Sequence, residues 1–467
     1  MMFELNLAGK NEKLIESVKK VALMIEKSDI DEYEIYASKL VDKEIEVFNE
    51  SVESLSHSDS NGIGIRVFKS KRVGYAWTNS FDENKILDCI EKAILNSKIT
   101  KADELNGLPH IYESKYPYNN ADILKNLFDE SFFDISIEEK IEKTKSLERI
   151  AKKKDKRISG VDSLNYSDAF SEVAIFNSNG FEGDYKETNS FIFLSVIARD
   201  DKDTSTGFSF DYKRSLKDFD FEVVADEAVK KSTVLLGAKK VKSTVSKVLL
   251  DPIIASQFLG IIASILTADS VQKGKSLFKD KINQKIFSLD LNIFDDGLLK
   301  NGFASKPFDA EGVAKGRTQV FKEGILKTFL YDIYTARKDK TLSTGNAVRS
   351  SYMSMPSVGI SNFYIEPSNK SFEEILKSID EGFYIIDVIG LHSGANPISG
   401  EISVGAKGIW IKNGSLEYPV KEVTIATDIL SFCKEILMIG KDIRFFPSFG
   451  YIGSPSILLN NITIGGT

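Results

Sequence analysis

The pattern of apolar residues changes near residues 237–245, and this change constrains the fold more than any other feature of the chain. Before it, helix-like segments alternate with strand-like segments, whereas strand-like segments dominate after it. A chain of 467 residues is also too long for one ordinary hydrophobic core. We therefore predict an α+β protein with an N-terminal domain over residues 1–240 and a β-rich C-terminal domain over residues 241–467.

One order of segments occurs twice in the first half. Each copy begins with an amphipathic helix, continues with alternating strand patterns and ends with a second helix. The first copy spans about residues 1–105 and the second about residues 121–240. A turn at Asp59-Ser60-Asn61-Gly62 is expected to separate two strands of the first copy. The pattern predicts an internal duplication of a unit made of helices and an antiparallel sheet.

Two glycine-centred turns mark the second half. Glu323-Gly324 and Asn413-Gly414 each separate two alternating segments, which is typical of a β-hairpin. Helical patterns are few, and they cover residues 252–267, 372–381 and 427–438. We expect the second half to form a mostly antiparallel sheet, or an open barrel, with a few packed helices.

The composition limits the class of protein. A net charge of −7 argues against a general nucleic-acid-binding surface. No segment reaches the roughly 18 consecutive apolar residues that a membrane-spanning helix needs, and the N-terminal sequence lacks the order of a secretion signal. Cys89 and Cys433 lie in amphipathic helical patterns and are expected to be small core residues. We predict a cytoplasmic protein without a direct nucleic-acid or membrane partner.

The chain has three histidines, and none stands in a recognisable catalytic motif. His57, His110 and His392 have no His, Cys or acidic residue three to five positions further on in a helical context. His392 is followed by Ser393, but adjacent side chains of a strand point to opposite faces, so adjacency does not create a catalytic pair. Phosphate-binding loops and nucleophile elbows are also missing from the sequence. The residues alone predict no local catalytic motif.

Three segments of the second half resemble one protein family. They are Ser305–Lys338, Thr344–Pro367 and Gly390–Ala426, and their order and spacing match as well. The resemblance is to the TldD/PmbA family, and it covers essentially the whole chain. It implies a heteromeric metalloprotease that trims or degrades peptides and unfolded chains. Members of this family were first described as modulators of DNA gyrase.

The resemblance also indicates the kind of subunit. The TldD kind carries a helix with His-Glu-x-x-x-His, and a cysteine near its C-terminus completes the metal site, whereas the PmbA kind, also called TldE, lacks these ligands. The matching positions here hold Gly260, Ile261, Ile265 and Ile452, and neither glycine nor isoleucine coordinates a divalent cation. The resemblance therefore implies a PmbA/TldE-like subunit with no catalytic or metal site of its own. A metal, zinc by expectation, and the catalytic glutamate would belong to a TldD-like partner subunit.

The remaining candidate residues lie between His392 and Gly408. His392, Ser393, Asn396 and Ser399 are polar residues that precede a strand pattern, and we expect them to line the chamber that holds a peptide. The peptide itself would add a strand to an exposed sheet edge. Two alternatives stay open. One is a homodimeric peptide-binding or regulatory protein without protease activity, and the other is a hydrolase with a dispersed site that includes His392 and Ser393.

Overall fold

The structure, a computed structural model, describes residues 13–117, 125–447 and 450–467. It is an α+β protein, which confirms the predicted class. The α-helices of the described residues are α1 (Leu14–Ile25), α2 (Glu83–Ile99), α3 (Ile137–Lys154), α4 (Phe221–Val234), α5 (Pro252–Ser264), α6 (Ala268–Gln272), α7 (Ile333–Lys338), α8 (Phe372–Lys377), α9 (Leu391–Gly394) and α10 (Ile429–Glu435). The strands are β1 (Glu32–Phe48), β2 (Ser51–Lys69), β3 (Arg72–Thr78), β4 (Ile158–Asn177), β5 (Glu182–Arg199), β6 (Thr204–Lys213), β7 (Thr244–Leu250), β8 (Ile293–Asp296), β9 (Arg317–Lys322), β10 (Ile325–Leu326), β11 (Ala347–Val348), β12 (Ser357–Val358), β13 (Asn362–Ile365), β14 (Glu381–Ile389), β15 (Glu401–Lys412), β16 (Ser415–Asp428), β17 (Ile436–Ile439), β18 (Arg444–Pro447), β19 (Tyr451–Ser454) and β20 (Ile457–Gly465).

The first six strands form one antiparallel sheet in the order β3-β2-β1-β4-β5-β6. Each half of this sheet has the same order of elements, a helix followed by three strands and a second helix. Helices α1 and α2 pack on strands β1–β3 around one apolar cluster, and α3 and α4 pack on strands β4 and β5 around another. Strands β1 and β4 join the two halves along a continuous register from Glu34–Asn177 to Glu46–Asn165.

The turn expected at residues 59–62 is wrong. Strand β2 runs without a break through these residues, and Asp59 and Gly62 pair with Val41 and Ser38 of β1. The polar residues are tolerated there because residues 51–59 are all exposed, on a stretch of β2 that extends beyond its pairing with β3. Packing, and not a turn, explains the glycine at position 62, since a Cβ there would lie 2.4 Å from the ring of Tyr352.

Five strands of the C-terminal half close into a barrel. Their order is β16-β15-β14-β7-β20, and pairing of β16 with β20 at Ala426–Thr463 closes the ring. The sequence predicted a sheet or an open barrel, and closure depends on this long-range pairing, which no local pattern encodes. The hairpin turns at Glu323-Gly324 and Asn413-Gly414 are confirmed between β9 and β10 and between β15 and β16.

A second sheet of the C-terminal half has the order β10-β9-β8-β13-β19-β18. Helix α5 packs against β13, β18 and β19 of this sheet and against β14 of the barrel. The core that results contains Phe258, Ile262, Phe363 and Ile452. Helix α5 is therefore the central element of this half of the molecule.

Two further features are the state of the cysteines and the apolar character of the helices. Cys89 and Cys433 are buried free thiols, as the sequence predicted. Within the described ranges, no helix has both the length and the apolar character needed to cross a membrane.

Candidate functional site

Helix α5 is the element on which the resemblance locates the metal-binding motif. The helix begins after the strand β7, where Asp251 caps it by accepting a hydrogen bond from the backbone N–H of Ile253 at 3.0 Å. Pro252 occupies the first position, where a missing N–H has no cost. The helix then packs against β19, so the motif helix and the strand that would bring the cysteine are neighbours.

The residues at these positions form part of the apolar core. Gly260 and Ile265 are buried, Ile452 is fully buried, and Ile261 packs on the same cluster with part of its surface exposed. None of the four offers a nitrogen, oxygen or sulfur side-chain atom, and Zn²⁺ is held by such atoms. The side chains present do not fit a metal ion at this place. Elsewhere in the described ranges, no group of three or more His, Cys, Asp or Glu residues is arranged to hold one.

The predicted substrate contacts lie on an exposed loop. His392 and Ser393 are on the short helix α9, not on a strand, and Asn396 and Ser399 belong to the turn that follows it. Asn396 Oδ1 accepts hydrogen bonds from the backbone N–H groups of Ile398 and Ser399 at 3.0 and 3.2 Å. All four predicted residues are exposed. The polar groups of this loop therefore order the loop itself.

The other two histidines lie on separate elements. His57 is on the exposed stretch of β2, where it pairs with Lys43. His110 precedes a short 3-10 helix, and its ring stacks on Tyr112 with a centroid distance of 5.2 Å. Together with His392 on α9, the three histidines occupy three different segments and form no shared site.

A large cleft lies between the two halves of the molecule, with a volume of about 800 Å³. Helix α6, which follows α5 after a short connection, contributes Asp269 and Lys273 to its wall. Its other charged or polar lining residues are Arg66, Lys101, Asp103, Glu104, Asn106, Glu311, Asp332, Tyr334, Thr335 and Ser357. The cleft thus combines many charged and polar residues with apolar ones such as Phe68, Leu105 and Met355, and it begins close to the end of the motif helix.

Four charged side chains form a buried network beside this cleft. Arg66 donates to Glu34 at 2.7 Å and to Glu311 at 3.1 Å. Arg349 donates to the other oxygen of Glu34, and its guanidinium carbon lies 4.6 Å from the ring centroid of Tyr36. The network connects β1 and β2 of the first sheet with two loops of the C-terminal half.

The two carboxylates of this network have opposite shifts of pKa. Burial by itself raises the pKa of Glu34, but the guanidinium groups of Arg349 and Arg66 hold it below its ordinary value. Burial raises the pKa of Glu311, and the neighbouring carboxylates of Asp332 and Asp309 act in the same direction against Arg66. The carboxylate of Glu34 therefore stays ionised, whereas Glu311 is the group in this network that takes up a proton most readily.

The sequence alone did not reveal this network. Glu311 and Arg349 lie within segments that carry the family resemblance, but their charges were not singled out. Arg66 and Glu311 are 245 positions apart, and Glu34 and Arg349 are 315 positions apart. Spacing rules apply only to neighbours within one element, so nothing in the local pattern distinguishes these residues from the many surface charges.

Family models match most of the chain. The model of the PmbA/TldA metallopeptidase domain 1 matches residues 33–97, the model of the central domain matches residues 130–236, and the model of the C-terminal domain matches residues 243–466. The chain is also 33% identical over 366 residues to the metalloprotease PmbA homolog of Buchnera aphidicola subsp. Baizongia pistaciae (strain Bp). That match covers 78% of this chain and 77% of the relative.

Solved structures have the same fold. A crystal structure from Thermotoga maritima MSB8, named as a candidate modulator of a DNA gyrase, has a TM-score of 0.86 and 27% sequence identity, and the match covers 96% of this chain and 99% of that one. The crystal structure of TldE from Thermococcus kodakarensis has a TM-score of 0.83 and 23% identity, and that match covers 96% of this chain and all (100%) of the other.

Proposed function

Because the chain belongs to the PmbA/TldD metallopeptidase family, we propose that it is the metal-free subunit of a two-subunit metalloprotease that acts on peptides and unfolded proteins. The catalytic metal and the catalytic glutamate belong, in this proposal, to a TldD-like partner. This chain completes the chamber and helps to hold the substrate.

One observation carries the proposal. Gly260, Ile261 and Ile265 on or next to α5, together with Ile452 on β19, are core or core-packed residues at the positions where the family resemblance expects ligands and the glutamate. A buried aliphatic side chain polarises no water and binds no cation. The chain thus has the fold of the family, but apolar core residues occupy the positions at which a catalytic subunit is expected to have the metal ligands and the glutamate.

A free strand edge supports a role in holding another chain. Within the described part of the chain, residues 51–59 of β2 pair with β1 alone, since the pairing of β2 with β3 begins at Ile63–Thr78. Their backbone N–H and C=O groups are therefore open on the other side, and an extended chain pairs with such an edge through main-chain hydrogen bonds. Val52 and Leu55 are exposed apolar side chains on the same stretch.

The proposed compartment is the cytoplasm. Cys89 and Cys433 are buried as free thiols, and thiols of this kind are compatible with a reducing compartment. Each packs in an apolar cluster, so neither thiol is exposed as a nucleophile.

The decisive experiment combines the purified chain with a His-Glu-x-x-x-His homologue from the same organism. We expect the two proteins to co-elute at micromolar concentration, and we expect peptide cleavage that requires both. The matched control replaces the glutamate of the homologue's motif by glutamine, which should abolish cleavage and leave co-elution intact.

Two results would contradict the proposal. The first is a failure of the two proteins to associate, combined with a stable homodimer that binds peptide, which would favour a regulatory or peptide-binding protein. The second is stoichiometric zinc, or chelator-sensitive peptidase activity, in the isolated chain, which would favour a dispersed catalytic site of its own.

A further inference from the structure

A second, smaller cavity lies between the two halves. Arg349 of the buried charge network lines this cavity, whereas Arg66 and Glu311 of the same network line the large cleft. Its volume is about 190 Å³, which is well below the roughly 300–1,000 Å³ of sites for drug-sized ligands. Strands β1, β4 and β5 supply one wall, and the segments around residues 304–315 and 347–349 supply the other.

Cations predominate among the charged residues that line this cavity. Lys306, Lys315 and Arg349 contribute three positive charges, and Asp309 contributes the one carboxylate. That carboxylate is already occupied, because it accepts hydrogen bonds from the backbone N–H groups of Glu311, Val313 and Ala347 at 2.8, 2.9 and 2.9 Å. Two of the cations have carboxylate partners outside the lining, since Arg349 pairs with Glu34 and Lys306 lies 3.3 Å from Glu187. What the charged groups of the cavity have in excess is therefore hydrogen-bond donors.

Within the described residues, two of these cations have fewer hydrogen-bond partners than N–H donors. The side chain of Arg349 is fully buried, yet its Nε and Nη1 have no hydrogen-bond partner among the described residues. Lys315 is 4% exposed and donates to Ser361 Oγ at 2.6 Å, and the described part of the chain places no carboxylate within ion-pair distance of its Nζ. An unpaired charged donor in the interior is destabilising unless something accepts its hydrogen bond.

The remaining lining consists of Tyr36, Tyr185 and a set of apolar residues that includes Val173, Ile175, Phe308, Val348 and Ile360. An inorganic anion would leave this surface without a partner, whereas an anion that carries a short aliphatic group would cover it. Lys306 is 34% exposed in its side chain, and Val348 is partly exposed. The cavity therefore opens to solvent on that side.

We propose that this cavity binds the carboxylate of a small aliphatic acid, with Lys315 and Arg349 as its inner donors and Lys306 at the entrance. The apolar wall takes the aliphatic group. Two sources supply this chemistry: a free branched-chain acid and the C-terminal residue of a peptide. The peptide source rests on the proposed function, and the free acid does not.

Calorimetric titration of the full chain tests the proposal with defined probes. The probes are 3-methylbutanoate, its amide, a peptide with a C-terminal valine, the same peptide as its C-terminal amide, and inorganic phosphate. We expect each acid to bind at least about tenfold more tightly than its amide and than phosphate. Tighter binding of the peptide acid identifies a peptide C-terminus as the source, and tighter binding of 3-methylbutanoate identifies a free acid.

Variants connect the binding to the cavity. Lys315→Met and Lys306→Met should each weaken binding of the acid by about tenfold or more, whereas Lys92→Met on the exposed face of α2 should leave it unchanged. Arg349→Lys serves as a further variant only if its unfolding curve matches that of the parent protein. If the Arg349→Lys variant does not fold, the two lysine variants still test the proposal.

Three results would overturn the proposal: no binding of any acid up to about 10 mM, equal binding of acid and amide, or full binding by Lys315→Met. The third result would mean an adventitious surface site. Each is distinguishable from failure of the proposed function, because cleavage with the partner is measured on a substrate whose C-terminus is amidated. Loss of the acid site leaves that cleavage intact.

Discussion

Glu34 and Arg349 form an ion pair in which neither side chain is exposed, and the pair joins the first strand of the chain to the C-terminal half 315 residues later. Arg66 completes the arrangement from β2 by donating to the second oxygen of Glu34. Docking of the two halves therefore depends on charges that are removed from water. Such pairs are strongly destabilising when one partner is lost, because the other charge stays buried without compensation.

Replacement of Glu34 by glutamine should lower the free energy of unfolding by about 3–5 kcal/mol. The substitution leaves the guanidinium groups of Arg66 and Arg349 buried without their shared carboxylate. Urea unfolding monitored by circular dichroism measures the change. Glu16→Gln is the matched control, because its ion pair with Lys19 is exposed on α1 and its loss should change the free energy of unfolding far less. Equal effects of the two substitutions would contradict the role given to the buried pair.

A second contact between the halves should fail in acid. Glu227 on α4 accepts a hydrogen bond from Arg444 on β18, and its carboxylate lies 2.8 Å from Lys231 Nζ. Burial alone would raise the pKa of Glu227, but Lys231 and Arg444 lower it to about 2. A carboxyl whose folded pKa is depressed stabilises the fold above its ordinary value of 4.5, and this contribution is lost as the pH falls from there towards about 2.

The measurement compares the parent protein with Glu227→Gln across pH. At pH 7 the variant should be less stable by about 1–3 kcal/mol, and the difference should shrink as the pH is lowered to about 3. Glu222→Gln, whose pair with Lys154 is exposed, should give a small difference at every pH. A difference for Glu227→Gln that stays constant between pH 7 and pH 3 would show that its charge does not link the halves.

Local patterns were sufficient for most of the elements and for the family. The helix predicted at residues 427–438 is an exception at its end, because α10 ends at Glu435 and residues 436–439 form strand β17. The helix predicted at residues 252–267 contains the observed α5, and both hairpin turns were predicted from single glycines. Each of these depends on residues that are neighbours in sequence. The family membership implied by the segments around Ser305, Thr344 and Gly390 is confirmed by the matching family models and relatives.

Long-range features were not predictable from local patterns. Closure of the barrel depends on β16 and β20, and the charge network depends on residues from four separate segments. The substrate contacts expected at the His392 loop stay a prediction. Asn396 and Ser393 also have partners within the loop itself, since asparagine and serine favour turns through bonds to nearby backbone groups.

The free edge of β2 leads to a prediction about assembly. Leu55→Lys, combined with Val52→Lys, should weaken association with the TldD-like partner or with an extended peptide by at least about tenfold, because charged edge strands resist pairing. Analytical ultracentrifugation and fluorescence anisotropy measure the two kinds of association. Leu95→Lys is the control, since Leu95 is 58% exposed on α2, away from the edge. If the double variant binds both ligands like the parent protein, neither uses this edge.

The last prediction concerns His392. Its side chain is exposed on α9, and neither the large cleft nor the smaller cavity includes it in its lining. His392→Ala should therefore leave partner-dependent cleavage within about tenfold of the parent rate, a change of about 1.4 kcal/mol in the activation barrier. The measured quantity is kcat/KM of the reconstituted pair, with thermal unfolding of the variant as the control for folding. A loss beyond about a thousandfold with an unchanged unfolding curve would require a direct catalytic role. Such a loss corresponds to about 4 kcal/mol in the activation barrier, and an exposed residue that only shapes the chamber has no contact that could supply it.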